Sequence, residues 1–567
     1  MCGICGVWGA RQQPAIESMV GAMHHRGPDD AGIHRTNSAA LGMTRLSIQD
    51  LSEAGHQPMS SPDGEVWIVY NGETYNVAEN RRSLEAHGYR FRSQSDTEIV
   101  LGLYLHHGDS FLQFLRGMYA LAILDTRKGP GRERLLLARD PLGIKPLLYS
   151  GDASGMVFGS ELKTMLASGL VSPEVDPVAL HGLLAQGSVA QPATMLKHVR
   201  TLMPGHRMIV EAGRLDIAPF WELSADRRPH LARASYADQV AMLRGLLEDS
   251  VRAHMVSDVR VGAFLSGGID STALVALISQ LGGEPLHTFS VGFGDEGQGI
   301  DETDAAARIA RFYGTRHKRV MVTGREVRDL LPMIAGALDQ PTVDGLNSFF
   351  VSRAAAGGVK VAVSGTGGDE PFAGYPWFAD MARFQAATAA TGLRGGARSL
   401  AAAVGSAASR FRMIGRAGGL ASRLTAQGDF LEAYSRQYRI FGANDARQLM
   451  SRRLRSLLGE VPSDRQRAQL SDALPHADVV SRVSALCLRG YTQNQLLRDI
   501  DATSMRHSLE VRVPFLDVPL IDFALSLPDE AKLGRAPAGA TYAQSGAKRI
   551  LIDALRDILP PDLDRQK

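Results

Sequence analysis

Cysteine is nearly missing from this chain. Three residues, Cys2, Cys5 and Cys487, in a length of 567 are too few for a disulfide framework, and a reducing cytoplasm is the expected compartment. Their spacing also excludes a four-ligand zinc site. No apolar run is long enough to cross a bilayer, and no signal peptide opens the chain. Net charge is only +2, so no nucleic-acid or membrane partner is expected. No stretch repeats internally.

What remains is ordinary globular composition, 44% hydrophobic and 22% charged. The length exceeds what one core can use, so two or more domains are expected. The rest is organised around Val259 to Thr272, VRVGAFLSGGIDST. Val259 to Leu265 is a short apolar run suited to a buried strand, and Thr272 to Gln280 reads as a helix. Between them lie Ser266, Gly267, Gly268, Ile269, Asp270 and Ser271. Glycines allow a tight turn, and the free N–H groups of a helix start point at negative charge. The serines add hydroxyl donors, and Asp270 can hold a divalent cation against phosphate oxygens. The Gly-Lys-Ser/Thr of a Walker loop is absent. The plain alternative is a glycine turn without a ligand. The string resembles the pyrophosphate loop of ATP pyrophosphatases.

The chain opens Met1-Cys2-Gly3-Ile4-Cys5-Gly6-Val7, a strand pattern. Removal of Met1 would give Cys2 both a thiol and a free α-amine, and an amine with a pKa near ~8 can serve the thiol as base. Cys5 reads as a buried apolar residue. Then come His25-Arg26-Gly27-Pro28-Asp29, Arg45-Leu46-Ser47-Ile48, Gly55-His56-Gln57-Pro58-Met59, Asn71-Gly72-Glu73-Thr74-Tyr75-Asn76 and Ser95-Asp96-Thr97-Glu98. Arg139 to Leu147 (RDPLGIKPL) and Phe158-Gly159-Ser160-Glu161 follow. Each alone reads as a turn; Asn-Gly is first a hairpin signal. As an ordered set with Cys2 they resemble the glutaminase domain of class II glutamine amidotransferases. That resemblance implies an α+β N-terminal nucleophile (Ntn) sandwich over residues 1–222. It makes Cys2 the nucleophile, with Asn71 and the Gly72 N–H as the oxyanion hole. Arg45 would pair with the glutamine α-carboxylate and Asp96 with its α-ammonium, and Glu73 joins the glutamine-binding set. The plain alternative for Arg45 and Asp96 is a surface ion pair.

Pro204 to Trp221 reads as a hairpin around Glu211-Ala212-Gly213, and Ala225 to Ser235 as a polar linker. From Tyr236 an amphipathic helix leads into a second domain, residues 236–567. Strands at Leu286–Phe293, Arg319–Val322 and Val359–Val363 alternate with helices, including one over Asp301–Tyr313. The pattern predicts an α/β doubly wound parallel sheet with helical additions and ligands at the carboxyl ends of its strands. A second glycine loop, Ser364-Gly365-Thr366-Gly367-Gly368-Asp369-Glu370, follows the last of these strands. With Leu497-Arg498-Asp499, Ser504 to Asp517 (SMRHSLEVRVPFLD) and Gly546-Ala547-Lys548-Arg549, this half is similar to the synthetase domain of glutamine-hydrolysing asparagine synthetases. The resemblance implies ATP and Mg2+ as cofactors. ATP would contact Leu265, Ser266, Gly267, Gly268, Asp270, Ser271, Val291, Ser364 and Gly365; the metal would sit on Asp270 and Asp369; Lys548 would stabilise departing pyrophosphate. Read locally, Asp369 can cap a helix and Lys548 is a solvated helix lysine. Phe378 to Arg455 reads as helices with poor cores and carries no assigned chemistry.

The resemblance implies a cytoplasmic ligase. ATP, L-aspartate, L-glutamine and water would give AMP, diphosphate, L-asparagine and L-glutamate, through a thioester at Cys2 and an acyl-adenylate. Its partners are L-glutamine, ATP and a carboxylate acceptor, aspartate by default, with a homodimer left open. Two features depart from the family pattern. Thr366 stands where the family commonly has glutamate, and Gln340 to Asn347 (QPTVDGLN) differs from its threonine-rich acceptor stretch. Asp344 and Asn347 either read a different acceptor or cap a helix. Pro560 to Lys567 looks like the entry to a motif that relatives continue. The alternatives are amidation of another carboxylate, such as a cell-surface sugar acid, a peptide or a secondary metabolite, and a non-catalytic homologue that binds nucleotide or a partner.

Overall fold

The computed structural model describes residues 2–9, 15–294, 302–391, 429–534, 546–561 and 563. Met1, Asp301, residues 392–428 of the alanine-rich stretch and most of Pro560 to Lys567 therefore lie outside the described residues.

Among the described residues, the first 222 supply twelve strands: β1 (Cys2–Trp8), β2 (Asp30–Arg35), β3 (Ala39–Arg45), β4 (Met59–Ser60), β5 (Val66–Thr74), β6 (Gly117–Asp125), β7 (Arg134–Arg139), β8 (Leu148–Asp152), β9 (Gly155–Gly159), β10 (Arg200–Thr201), β11 (His206–Glu211) and β12 (Arg214–Pro219). They form two sheets, in the orders β10-β8-β9-β1-β3-β2 and β12-β11-β7-β6-β5-β4. Side chains alternate across each strand. In β1, Cys2 and Ile4 enter a core shared with Val69, Ala120 and Ala122 of the facing sheet. Cys5 and Val7 point the other way, under helices Ile16–Ala22 and Leu162–Ala167. In β6, Tyr119, Leu121 and Ile123 pack under helix Asp96–His107. The result is helix, sheet, sheet, helix. The expected hairpin turns at Ala212 and Gly213, φ 49° and 72°.

A parallel sheet follows: β13 (Val261–Phe264), β14 (His287–Phe293), β15 (Arg316–Val322), β16 (Val361–Val363) and β17 (Glu510–Arg512), in the order β15-β14-β13-β16-β17. Helices Tyr236–His254, Ile269–Gln280 and Arg549–Leu555 cover one face; Leu346–Ala356 and Leu497–Met505 cover the other. The order in which strands are added reverses between β13 and β16, which opens a crevice at their carboxyl ends. Both glycine loops leave the sheet there. The whole is a mixed α/β chain. Among the described residues no helix is long and apolar enough to cross a membrane.

The polar stretch Ala225 to Ser235 is docked rather than free. Leu231 is fully buried in the core over the parallel sheet, its carbonyl accepts from Gln239 Nε2 at 2.8 Å, and Arg227 pairs with Asp522 at 3.0 Å. An apolar seam also joins the two regions: Leu142, Ile144 and Leu223 meet Leu488, Leu497 and Ile521. Full burial of Leu231 contributes roughly 1.5–3 kcal/mol to that docking.

Candidate active sites

The β1–β3 register sets Cys2 directly opposite Arg45. Asn71 and Gly72 lie inside β5, paired to Ala120 and Tyr119, so this Asn-Gly is not a hairpin turn. The Cys2 N–H donates to Asn71 Oδ1 at 3.1 Å. An N–H needs an acceptor, which orients the amide and leaves Asn71 Nδ2 buried with no hydrogen-bond partner among the described residues. A buried donor without a partner is costly, and here it belongs to the side chain that holds the Cys2 main-chain nitrogen. A Cβ on Gly72 would sit 2.5 Å from the Met118 carbonyl oxygen and 2.7 Å from Tyr119 Cβ, so only glycine lets the strand run there.

Arg45 is buried and gives its guanidinium to the carbonyls of Ser52 (3.1 Å), Gln49 and Asp50; it is not a surface ion-pair partner. Asp96, also buried, accepts from the Thr74 N–H at 3.0 Å, and burial pushes its carboxyl up to about 6. The Glu73 carboxylate turns away, to Arg512 Nη2 at 3.0 Å and to Gln49. Burial pushes the Cys2 thiol above its ordinary value, so thiolate is scarce at neutral pH. The rate of alkylation by iodoacetamide is therefore expected to keep rising with pH after free cysteine has levelled off. A profile that levels where free cysteine does would contradict this.

At the crevice the two glycine loops press together. A Cβ on Gly368 would lie 2.5 Å from the Asp270 carboxyl carbon, and one on Gly365 would lie 2.9 Å from the Ser271 nitrogen. Gly267 and Gly367 have φ of 92° and 89°, which favour glycine. Two adjoining cavities share Ser266, Ser364 and Thr366. One, about 310 Å³, has an apolar wall from Leu265, Phe289, Val291 and Ile500. The other, about 360 Å³, is lined by Gly268, Asp270, Ser271, Gly365, Asp369 and Lys548. An apolar slot next to a polar, glycine-rich one suits a nucleoside joined to phosphates.

Lys548 is no solvated helix lysine. It is 3% exposed, has φ 53°, and its Nζ lies 2.6 Å from both Asp270 Oδ1 and Asp369 Oδ1. Asp369 therefore holds an ammonium instead of capping a helix. Burial pushes Asp270 up to about 6, against the pull of Lys548. Two facing carboxylates plus phosphate oxygens make the donor set that magnesium takes. Among the described residues no group of three metal-ligating side chains exists, so such a cation would need the nucleotide as co-ligand.

Thr366 opens on both cavities, its hydroxyl 2.9 Å from Ser364 Oγ. Asn347 lines the apolar cavity. Asp344 bonds the Gly345 N–H at 2.7 Å, and helix Leu346–Ala356 has no side-chain cap. Sequence reading assigned no role to several buried charges between the two regions. Arg26 donates Nη1 to Glu161 (2.9 Å) and Nη2 to Asp501 (2.9 Å). Arg512 donates to Glu510 (2.6 Å) and to the carbonyls of His254 and Val256. Burial would raise Glu161, but Arg26 and His25 outweigh it and hold the carboxyl below its usual range. Arg26, Glu161, Glu510 and Arg512 stand in the motifs described above, but nothing local marks which charges meet.

The described residues thus hold a buried thiol whose main-chain nitrogen bonds Asn71, and a crevice with an apolar and a polar cavity at the carboxyl ends of a parallel sheet. Comparison with known proteins gives the class. A glutamine amidotransferase domain family matches residues 1–221 and the asparagine synthase family matches residues 242–567. The chain is 32% identical to glutamine-hydrolyzing asparagine synthetase 1 of Bacillus subtilis, over 94% of this chain and 82% of that protein. It is 34% identical to a putative glutamine-hydrolyzing asparagine synthetase of Mycobacterium tuberculosis, over 98% and 84%. Amidase chyE of Penicillium rubens is 33% identical over 64% of this chain and 55% of its own. The chain belongs to the glutamine-hydrolysing asparagine synthetase family and is a glutamine-dependent ligase.

Proposed function

We propose that residues 1–222 form an Ntn-type glutaminase and residues 236–567 an ATP-pyrophosphatase synthetase, and that the chain makes a carboxamide from a carboxylate, aspartate by family default. With Met1 removed, the Cys2 amine takes the thiol proton and Sγ attacks the glutamine side-chain amide. Asn71 Nδ2 and the Gly72 N–H hold the oxyanion, and ammonia leaves as the thioester forms. Water then releases glutamate. Arg45 and Asp96 hold the two ends of the amino acid, and Glu73 contributes through its main chain, its carboxylate being occupied by Arg512. In the crevice, Leu265 and Val291 hold adenosine. The loop residues Ser266, Gly267, Gly268, Ser271, Ser364 and Gly365 face the phosphates. A carboxylate oxygen of the acceptor bonds to the α-phosphorus and pyrophosphate leaves. Asp270 and Asp369 would hold the magnesium, which neutralises phosphate charge, and Lys548 follows the departing pyrophosphate. Ammonia attacks the acyl-adenylate, AMP leaves and an amide remains. The reaction is placed in the cytoplasm.

The observation that carries the first half is the orphan Asn71 Nδ2 beside Cys2. A second reading, an acceptor other than aspartate, is favoured by Thr366, because a hydroxyl cannot act as the base that a carboxylate would be at this position. Amide-labelled glutamine should pass its nitrogen to a new product while ATP becomes AMP. A scan of carboxylic acids for stimulated pyrophosphate release identifies the acceptor. Stimulation by aspartate alone removes the second reading, and formation of ADP removes both.

A further inference from the structure

One element touches both sites. The π-helical turns Leu488–Leu496 run unbroken into helix Leu497–Met505, and π-turns inside helices concentrate at functional positions. Three consecutive buried residues of that helix then diverge, as a 100° step per residue requires. Asp499 Oδ2 accepts from the Thr342 hydroxyl at 2.8 Å, in the stretch that departs from the family's acceptor pattern. Ile500 forms part of the apolar nucleotide wall. Asp501 faces the glutaminase: its Oδ2 accepts from Arg26 Nη2 at 2.9 Å and its Oδ1 from Lys145 Nζ at 3.3 Å. Arg26, in turn, donates Nε to the carbonyl of Cys2 itself at 3.2 Å. The nucleophile is thus two side chains away from a helix that walls the nucleotide cavity.

We infer that helix Leu497–Met505 couples the two sites and that Asp501 is the positioning residue through which it does so. A helix in a close-packed core moves as a unit. Arg26 and Asp501 are 0% and 4% exposed, and separating them would leave two buried charges unpaired, so the pair stays together when the helix shifts. Nucleotide seated against Ile500 sets the helix, Asp501 carries the shift to Arg26, and Arg26 sets the strand end that bears Cys2. Binding coupling is reciprocal, so occupancy at Cys2 must also favour nucleotide.

This rests on the two-site reading above, and the test separates the two. Glutamate release from glutamine is measured with and without magnesium and α,β-methylene-ATP, which fills the crevice without being cleaved. Binding of that analogue is measured before and after Cys2 is alkylated by a diazoketone analogue of glutamine. The wild type is expected to gain about fivefold or more in kcat/KM with nucleotide, and labelled enzyme to bind nucleotide tighter. Asp501→Asn is expected to keep nucleotide-free glutamate release and nucleotide affinity within about twofold while losing both the stimulation and the tightening. A merely structural role would lower the basal values instead. Retained stimulation in Asp501→Asn, or none in the wild type, overturns the coupling. If the variant does not fold, amide exchange in wild-type residues 497–505 decides: it should slow when Cys2 is labelled, and unchanged exchange overturns the inference. A wild type that binds no nucleotide at all takes down the two-site reading, and this inference with it.

Discussion

Cys2→Ala is expected to remove glutamate release from glutamine, a loss of about 10⁴-fold or more, while ammonium still supports AMP formation with the acceptor at the wild-type rate. No other thiol can stand in. Cys5 sits on the opposite face of the same strand, under the outer helices, and burial pushes its thiol far above the usual range. Cys487 is buried in a separate core with Tyr434. The crevice should be untouched, because no residue lining either cavity comes from β1. The side chain removed is small and the cost of the cavity modest, so the variant should fold. Glutamate release and ammonium-supported AMP formation are measured on the same preparation. Equal loss of both activities, or surviving glutamate release, would contradict the assignment.

Lys548→Met is expected to slow acceptor-dependent pyrophosphate release by about 10²–10³-fold, or about 2.7–4 kcal/mol of transition-state stabilisation, with nucleotide-free glutamate release unchanged. Lys548 is the cation between two carboxylates on the two glycine loops, 2.6 Å from each. In the proposed mechanism those carboxylates would hold the nucleotide's metal, which would free the ammonium for the leaving phosphate. Without it Asp270 and Asp369 face each other unneutralised. Arginine is expected not to rescue: an ideal Cβ on Gly374 would lie 2.3 Å from Lys548 Cε, so the channel around the stem has no room for a planar guanidinium. Pyrophosphate release at saturating acceptor is the measurement, and a Lys548→Met rate within tenfold of wild type would show that Lys548 only holds the empty site together.

Some of this was legible in the residues. The strand, glycine loop and helix around Asp270 were legible in kind and order because they are neighbours in the chain, but the helix starts three residues earlier than expected, at Ile269, and takes Asp270 and Ser271 into its first turn. Lys548 was not: local sequence favours a solvated lysine, and only the approach of two loops about 180 and 280 residues away puts it between carboxylates. Asn-Gly at 71–72 carried a hairpin signal that the flanking pairing of β5 with β6 overrode.

By itself the sequence pointed to a nucleophile at position 2 and to two phosphate-type loops, and it carried the alternation that builds a parallel sheet and the departure at Thr366. All of these depend on residue type and short spacing, so local sterics and backbone geometry decide them. Only the tertiary structure decided which buried charges meet. Arg26 pairs with Asp501, 475 positions on, and Arg512 with Glu73. Such pairs form because docking two regions strips water from both partners at once, and the cost of an unpaired charge then selects the contact. No spacing rule along a chain carries that information.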